Sequence, residues 1–172
     1  MNLQSNDFEL FGVPEQFAQD LGRIDERWKD LQREAHPDRF AAQGAAAQRI
    51  AMQWSVRINE AYKRLKDPLK RAAYLCELRG SPIDPENNTA MPATFLVEQM
   101  EWREALEEAR SIEDVDRLEG ELQVARRDTV ERVRRMLDDE NDPRAAAQQV
   151  RALMFIERFA HDVEGRAEQL GQ

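Results

Sequence analysis

The sequence predicts an all-α protein in which an N-terminal antiparallel helical hairpin is joined to a C-terminal three-helix bundle. Helix-favouring residues, above all Ala, Glu, Arg, Leu and Gln, are frequent, whereas 7 Gly and 7 Pro are too few for a protein built on tight β turns. Apolar residues also recur at helical spacing through each long segment. A chain of 172 residues is long enough for one domain or for two small ones.

The first long helix is predicted to begin near Asp20 and to stop near Ala35. Asp20 can cap the free amide groups of its first turn. Pro37 restricts His36 to extended conformations, so the helix cannot continue through it. The apolar side chains that share one face are Ile24, Trp28, Leu31 and Ala35.

A second long helix is predicted from about Ala45 to Lys66, after a loop at 38–44. Its apolar arc contains Ile50, Trp54, Ile58, Ala61 and Leu65. The two helices can therefore pair antiparallel and bury both apolar stripes against each other. A further helix opens at Asp67-Pro68, where Asp caps and Pro fits the first turn.

The predicted boundaries are a first unit at 1–75, a connecting helix end and linker at 76–91, and a bundle at 92–172. The linker is rich in Pro and Asn and shows no apolar periodicity. Short connections between the bundle helices favour antiparallel neighbours. These helices are expected at about Pro92–Ala109, at about Ile112–Asp138, and from Asp142-Pro143 to about Leu170.

Charge is distributed unevenly between the units. Residues 1–75 carry 12 Lys and Arg against 11 Asp and Glu, whereas residues 76–172 carry 13 against 23. The acidic second unit would repel phosphate groups, so we expect no nucleic-acid partner. No run of 18 apolar residues and no signal-peptide pattern occurs, which favours a cytoplasmic protein without a membrane partner.

Residues that ligate metals are scarce and scattered. One Cys, Cys76, excludes an intramolecular disulfide, and the two His are His36 and His161. A metal site would need all three from distant positions. We therefore expect no metal and no cofactor.

The sharpest functional motif is His36-Pro37-Asp38, which lies between the two long helices. Lys29 and Arg33 line the outer face of the helix that leads into it. Alone, the tripeptide is weak evidence and favours a helix stop followed by an Asp turn. A catalytic acid–base pair of His36 and Asp38 would lack a second catalytic group and a nucleophile motif, so we expect no enzyme.

Two segments on either side of the His-Pro-Asp motif support a functional interpretation of it. The stretch Ile58–Tyr74, INEAYKRLKDPLKRAAY, follows at the appropriate spacing, and Asp7–Val13, DFELFGV, precedes it. Together with His-Pro-Asp, these segments resemble a J domain. The resemblance implies a co-chaperone whose His36, Pro37, Asp38, Lys29 and Arg33 dock on the ATPase unit of a DnaK-class chaperone and stimulate ATP hydrolysis.

The predicted helix at 92–109 has two apolar stripes, although a bundle helix needs only one. Phe95, Trp102, Leu106 and Ala109 share the arc expected to face the bundle. The second stripe, about 100–200° away, is interleaved with glutamates. It consists of Leu96, Val97 and Met100, with Glu101, Glu104 and Glu108 beside them. This pattern favours a partner surface, and packing against the first unit or the linker is the alternative.

The segment Ala93–Glu101, ATFLVEQME, and the adjoining Arg103-Glu104 resemble the HscB family of J-type co-chaperones of bacterial iron–sulfur cluster assembly. The resemblance implies that the chain delivers an IscU-type scaffold protein to the chaperone HscA. The implied scaffold-binding residues are Leu96, Val97, Met100, Glu101, Glu104, Glu108 and Phe155, with Phe155 extending the apolar patch. The alternatives are a J-domain protein with a different client and a purely structural helical protein.

Overall fold

The computed structural model describes residues 2–171, and its regular structure over that range is entirely helical. The chain forms two compact units, Met1–Leu75 and Cys76–Gln172. The prediction of an all-α protein is confirmed. The α-helices are α1 Asp7–Phe11, α2 Leu21–Ala35, α3 Ala45–Lys66, α4 Pro68–Leu78, α5 Ala93–Glu108, α6 Ile112–Arg134 and α7 Pro143–Leu170.

A polar seam aligns α2 and α3 along one side of their contact. Trp28 Nε1 donates to Asn59 Oδ1 at 3.0 Å, and Ser55 Oγ donates to Gln32 Oε1 at 2.9 Å. The Tyr62 ring lies 4.9 Å from the Trp28 ring. Trp28 pairs with Asn59, and Gln32, further along α2, pairs with Ser55, which is earlier in α3. The two helices are therefore antiparallel, as predicted.

The apolar stripes meet beneath this seam. Ile24, Leu31, Ile58 and Leu65 are buried, while Trp28 and Trp54 are half-buried. Ile50 was expected in the same arc, and that expectation is wrong because Ile50 is 54% exposed. The Trp28–Asn59 and Gln32–Ser55 pairs place Ala35, the last residue of α2, opposite about residue 52 of α3. Ile50 therefore lies past the end of α2, which does not cover it.

Asp7 is a buried charge that ties α1 to the rest of the first unit. Its side chain is fully buried, 2.8 Å from Nη1 of Arg57 and 2.6 Å from Nε of Arg64. The Tyr74 hydroxyl accepts from the Asp7 backbone N–H at 3.0 Å. Burying a carboxylate is costly unless it is paired and hydrogen-bonded, and two guanidinium groups supply that pairing here.

Part of the predicted linker is fastened to α7. Ile83 is buried, and the buried Arg151 donates from Nε to the Ile83 carbonyl at 3.2 Å and from Nη1 to the Ala90 carbonyl at 3.1 Å. These bonds occupy the carbonyl groups of a segment that has no helix of its own. The segment between α4 and α5 therefore packs as part of the second unit.

The second unit is a three-helix bundle. Arg126 contacts Glu157 at 3.4 Å and Arg132 donates to Gln149 at 3.2 Å, which makes α6 and α7 antiparallel. The core beneath α5 contains Phe95, Trp102, Ala109, Val115, Leu118, Leu122, Ala152, Phe155, Ile156, Phe159 and Val163.

The predicted helix at 112–138 ends differently from expectation. Its α-helical part stops at Arg134, and a single π turn follows at Arg135–Asp139. A π turn inserts an additional residue into the helical repeat and rotates the side chains after it. Leu137 is consequently buried, whereas Met136 is half-buried.

Replacing Asp7 by Asn should lower the free energy of unfolding by about 3 kcal/mol, because two partly buried guanidinium groups would lose their counter-charge. Glu26→Gln is the matched control, since the Arg23–Glu26 pair is exposed and its loss should cost under about 0.5 kcal/mol. Urea unfolding of both variants measures the difference. Equal losses would contradict the role assigned to Asp7.

Candidate functional sites

The His-Pro-Asp turn is shaped by Pro37. His36 is extended at φ −61° and ψ 128°, so α2 ends at Ala35. The Asp38 backbone N–H donates to His36 Nδ1 at 3.2 Å. Residues 37–43 form a 3₁₀ helix where the sequence predicted a loop, because Pro37 begins a helical turn that His36 caps.

The Asp38 carboxylate points into solvent. Its side chain is 91% exposed, and its nearest oxygen lies 3.7 Å from His36 Nδ1, beyond hydrogen-bonding distance. Arg39 Nη1 donates to the Arg33 carbonyl at 3.2 Å and so occupies an open carbonyl at the end of α2. The turn is therefore held by its own backbone and by Arg39, while the carboxylate is available to a partner cation.

A weak basic face leads up to this turn. Lys29 and Arg33 are both exposed and lie one helical turn apart on α2. Asp30 lies 3.7 Å from Arg33 and 4.0 Å from Arg27. Asp30 thus dilutes the positive charge of this face.

The outer face of α5 exposes three large apolar side chains. Leu96 is 50%, Val97 57% and Met100 66% exposed, whereas Phe95 and Trp102 on the opposite face are each 6% exposed. The prediction that α5 has one packed stripe and one exposed stripe is confirmed. The glutamates on the exposed side are Glu101, Glu104 and Glu108, and all three are exposed. We call these six residues the acidic–apolar face.

Phe155 does not extend the exposed apolar patch, and that expectation is wrong. Its residue is 8% exposed, with its ring 5.7 Å from Phe95 and 5.6 Å from Phe159. The physical reason is that α7 is covered by both α5 and α6. A helix between two neighbours buries a wider arc than the single stripe assumed from its periodicity.

Sequence reasoning missed a contact that links Phe155 to the surface. The Arg103 guanidinium lies over the Phe155 ring, 5.3 Å from its centroid. Both residues border a groove of about 540 Å³ between α5 and α7. The seven-residue spacing from Leu96 to Arg103 places both on the same side of α5, but no sequence pattern pairs Arg103 with Phe155 on α7.

The surroundings of Cys76, Arg71 and His161 indicate no binding site. Cys76 is fully buried, and burial raises the pKa of its thiol to about 11. The Arg71 guanidinium lies over the Phe17 ring, 4.6 Å from its centroid, and His161 lies exposed on α7.

Within residues 2–171, no three His, Cys, Asp or Glu side chains are grouped so that they could hold a metal ion. Over the same range, no helix combines the length and apolar character needed to cross a bilayer.

A His-Pro-Asp turn at the end of an antiparallel helix pair, followed by a separate three-helix bundle, defines a J-domain protein with an added helical unit. A family model described as the HSCB C-terminal oligomerisation domain matches residues 91–164. The chain is 50% identical to the Co-chaperone protein HscB homolog of Burkholderia cenocepacia and 49% identical to that of Burkholderia vietnamiensis. In both cases the match covers 99% of this chain and 98% of the relative. The chain belongs to the HscB family of co-chaperones.

Solved structures agree with this assignment. Chaperone HscB from Vibrio cholerae has a TM-score of 0.79 and 34% identity, covering 96% of this chain and 99% of that one. Human co-chaperone protein HscB has a TM-score of 0.84 and 25% identity, covering 96% and 84% respectively. The J-domain and HscB resemblances predicted from the sequence are thereby confirmed.

Proposed function

We propose that the protein is a non-enzymatic, cytoplasmic co-chaperone that binds an IscU-type iron–sulfur scaffold through its second unit and a DnaK-class chaperone, HscA, through its first. It delivers the scaffold and stimulates the ATPase of the chaperone. The observation that carries the proposal is the presence, on separate units, of an exposed Asp38 turn and an exposed acidic–apolar face. An adaptor needs two such surfaces so that it can hold two partners at once.

The chaperone-binding role is supported by the geometry of the turn. Because Pro37 fixes the backbone and Asp38 is 91% exposed, the carboxylate can meet a cationic group with little loss of conformational freedom. Lys29 and Arg33 lie on the helix that leads to this carboxylate. Their charges act mainly on the rate of encounter, and salt screens them over about 10 Å at 0.1 M.

The scaffold-binding role is supported by the exposure of Leu96, Val97 and Met100. Large apolar side chains in one cluster are expensive to leave in water, and a polar rim around such a cluster is typical of a protein interface. The rim of Glu101, Glu104 and Glu108 favours a partner that presents a basic surface with an apolar centre. It also disfavours pairing of this face with its own copy, because like charges would meet.

The iron–sulfur cluster is cargo of the scaffold in this proposal. Cys76 is poorly suited to ligate iron, since it is buried and its thiol has a pKa of about 11, and metal ligation requires the thiolate. The exposed His36 and Asp38 act by contact with the chaperone. The reacting groups for ATP hydrolysis are those of the chaperone.

Changing His36 to Gln, or Asp38 to Asn, should abolish stimulation of the ATPase of an HscA-type chaperone. Both side chains are exposed, so the free energy of unfolding should change by under about 1 kcal/mol. Scaffold binding should be unchanged. Gln43→Ala, at an exposed position of the same 3₁₀ helix, is the matched control and should stimulate normally. Full stimulation by both turn variants would overturn the chaperone-binding role.

The triple variant Leu96→Ala, Val97→Ala, Met100→Ala should bind a purified IscU-type scaffold at least about a hundredfold more weakly. Central apolar anchors typically account for most of the affinity of an interface. Because the three residues are exposed, unfolding by urea should change little. The control Ile112→Ala, Val124→Ala removes exposed apolar groups from α6 and should leave affinity unchanged.

Two results would count against this scaffold site. Normal scaffold binding by the triple variant, with chaperone stimulation intact, would favour a J-domain protein that serves a different client. Strong destabilisation of the triple variant would show that the exposed stripe is part of the core.

A further inference from the structure

Arg103 is the single cation on a strongly acidic helix. Between Ala93 and Glu108, α5 contains five glutamates and one basic residue. Arg103 is exposed and lies seven residues after Leu96, which places it beside the acidic–apolar face. A cation at that position reverses the local charge along one edge of the face.

The guanidinium group of Arg103 does not form an ion pair with its own helix. No carboxylate in the part of the chain that the structure describes lies within 4.0 Å of it, although Glu107 is one turn away. It lies instead over the Phe155 ring, 5.3 Å from the centroid. A guanidinium held over a ring by a cation–π contact uses none of its N–H donors on an acceptor, so those groups remain available to a partner.

Phe155 is well placed to hold this geometry and poorly placed to contact a partner. It is 8% exposed, and Phe95 and Phe159 pack against its ring at 5.7 and 5.6 Å. Because so little of the Phe155 side chain is exposed, it can contribute little buried apolar area to an interface. A fixed ring can nevertheless orient a long, flexible side chain above it and lower the entropy that Arg103 loses on binding.

We infer that Arg103 is a further scaffold-binding residue, whose guanidinium donates hydrogen bonds to a carboxylate or main-chain carbonyl at the edge of the scaffold's docking surface, and that Phe155 is its positioning residue. This inference rests on the proposed function, since it adds one donor to the same acidic–apolar face. The acceptor enters beside the groove between α5 and α7. The scaffold surface is therefore expected to be basic over the glutamates and to carry an oxygen acceptor over Arg103.

The test is a double-mutant cycle measured by titration with a purified IscU-type scaffold. Arg103→Gln removes the cation, and Phe155→Leu removes the ring while keeping an apolar side chain. Each should weaken binding about tenfold, the scale of a charge-assisted hydrogen bond. The double variant should also lose only about tenfold, because the two residues act as a unit.

Two control variants separate this role from general packing and general charge. Phe159→Leu removes a ring that stacks on Phe155 but is not the ring beneath Arg103, and it should reduce stability without reducing affinity. Arg158→Gln removes a cation that lines the same groove and should change affinity by less than about twofold. Arg103→Lys shows which acceptor the scaffold presents, because it keeps the positive charge but loses the planar guanidinium. Affinity close to that of the parent indicates a carboxylate acceptor, and affinity close to that of Arg103→Gln indicates a main-chain carbonyl.

The outcomes are decisive in either direction. Binding by Arg103→Gln within twofold of the parent, losses that multiply in the double variant, or an equal loss in Phe159→Leu would each overturn the inference. The Leu96, Val97 and Met100 triple variant serves as the reference. If that variant loses affinity and Arg103→Gln does not, only the inference fails. If the triple variant also binds normally, the proposed scaffold-binding function fails.

Discussion

The first unit depends on a conformational constraint at Pro37. The proline excludes the α conformation at His36, which ends α2, and its fixed φ begins the 3₁₀ turn that leads to α3. The chain reversal allows α3 to return along α2 and form the polar seam and the buried stripe. The same reversal leaves Asp38 at the end of the hairpin with its carboxylate in water.

Both units separate stability from recognition in the same physical way. Each amphipathic helix packs one face against a core, and the residues proposed to meet partners lie on the outer face of a helix or, for His36 and Asp38, in the turn between α2 and α3. Trp102 is buried and Met100, two residues earlier on α5, is 66% exposed. Partner-binding residues can therefore differ in charge and shape without disturbing the core, and substitutions there should act on affinity more than on folding. Phe155 is the exception, since it belongs to the core while it supports a surface residue.

Helix positions and most buried stripes could be predicted because helical periodicity and caps are local signals. Asp20 accepts the backbone N–H bond expected of it, and Ser111 and Asp142 cap their helices in the same way. The errors arose where a neighbour in space decides the outcome. Ile50 is exposed because α2 ends before reaching it, and Phe155 is buried because α7 has two neighbours. The Asp7 ion pairs join residues 50 and 57 positions apart, and the Arg103–Phe155 contact joins two helices, so periodicity carries no signal for either.

The central claim is that one chain connects a scaffold protein to a chaperone. The most direct test measures the ATPase rate of an HscA-type chaperone with this protein alone, with an IscU-type scaffold alone, and with both. An adaptor that presents the scaffold while Asp38 engages the chaperone predicts a rate with both that exceeds the sum of the two separate stimulations. A rate with both proteins no greater than that sum would contradict the account.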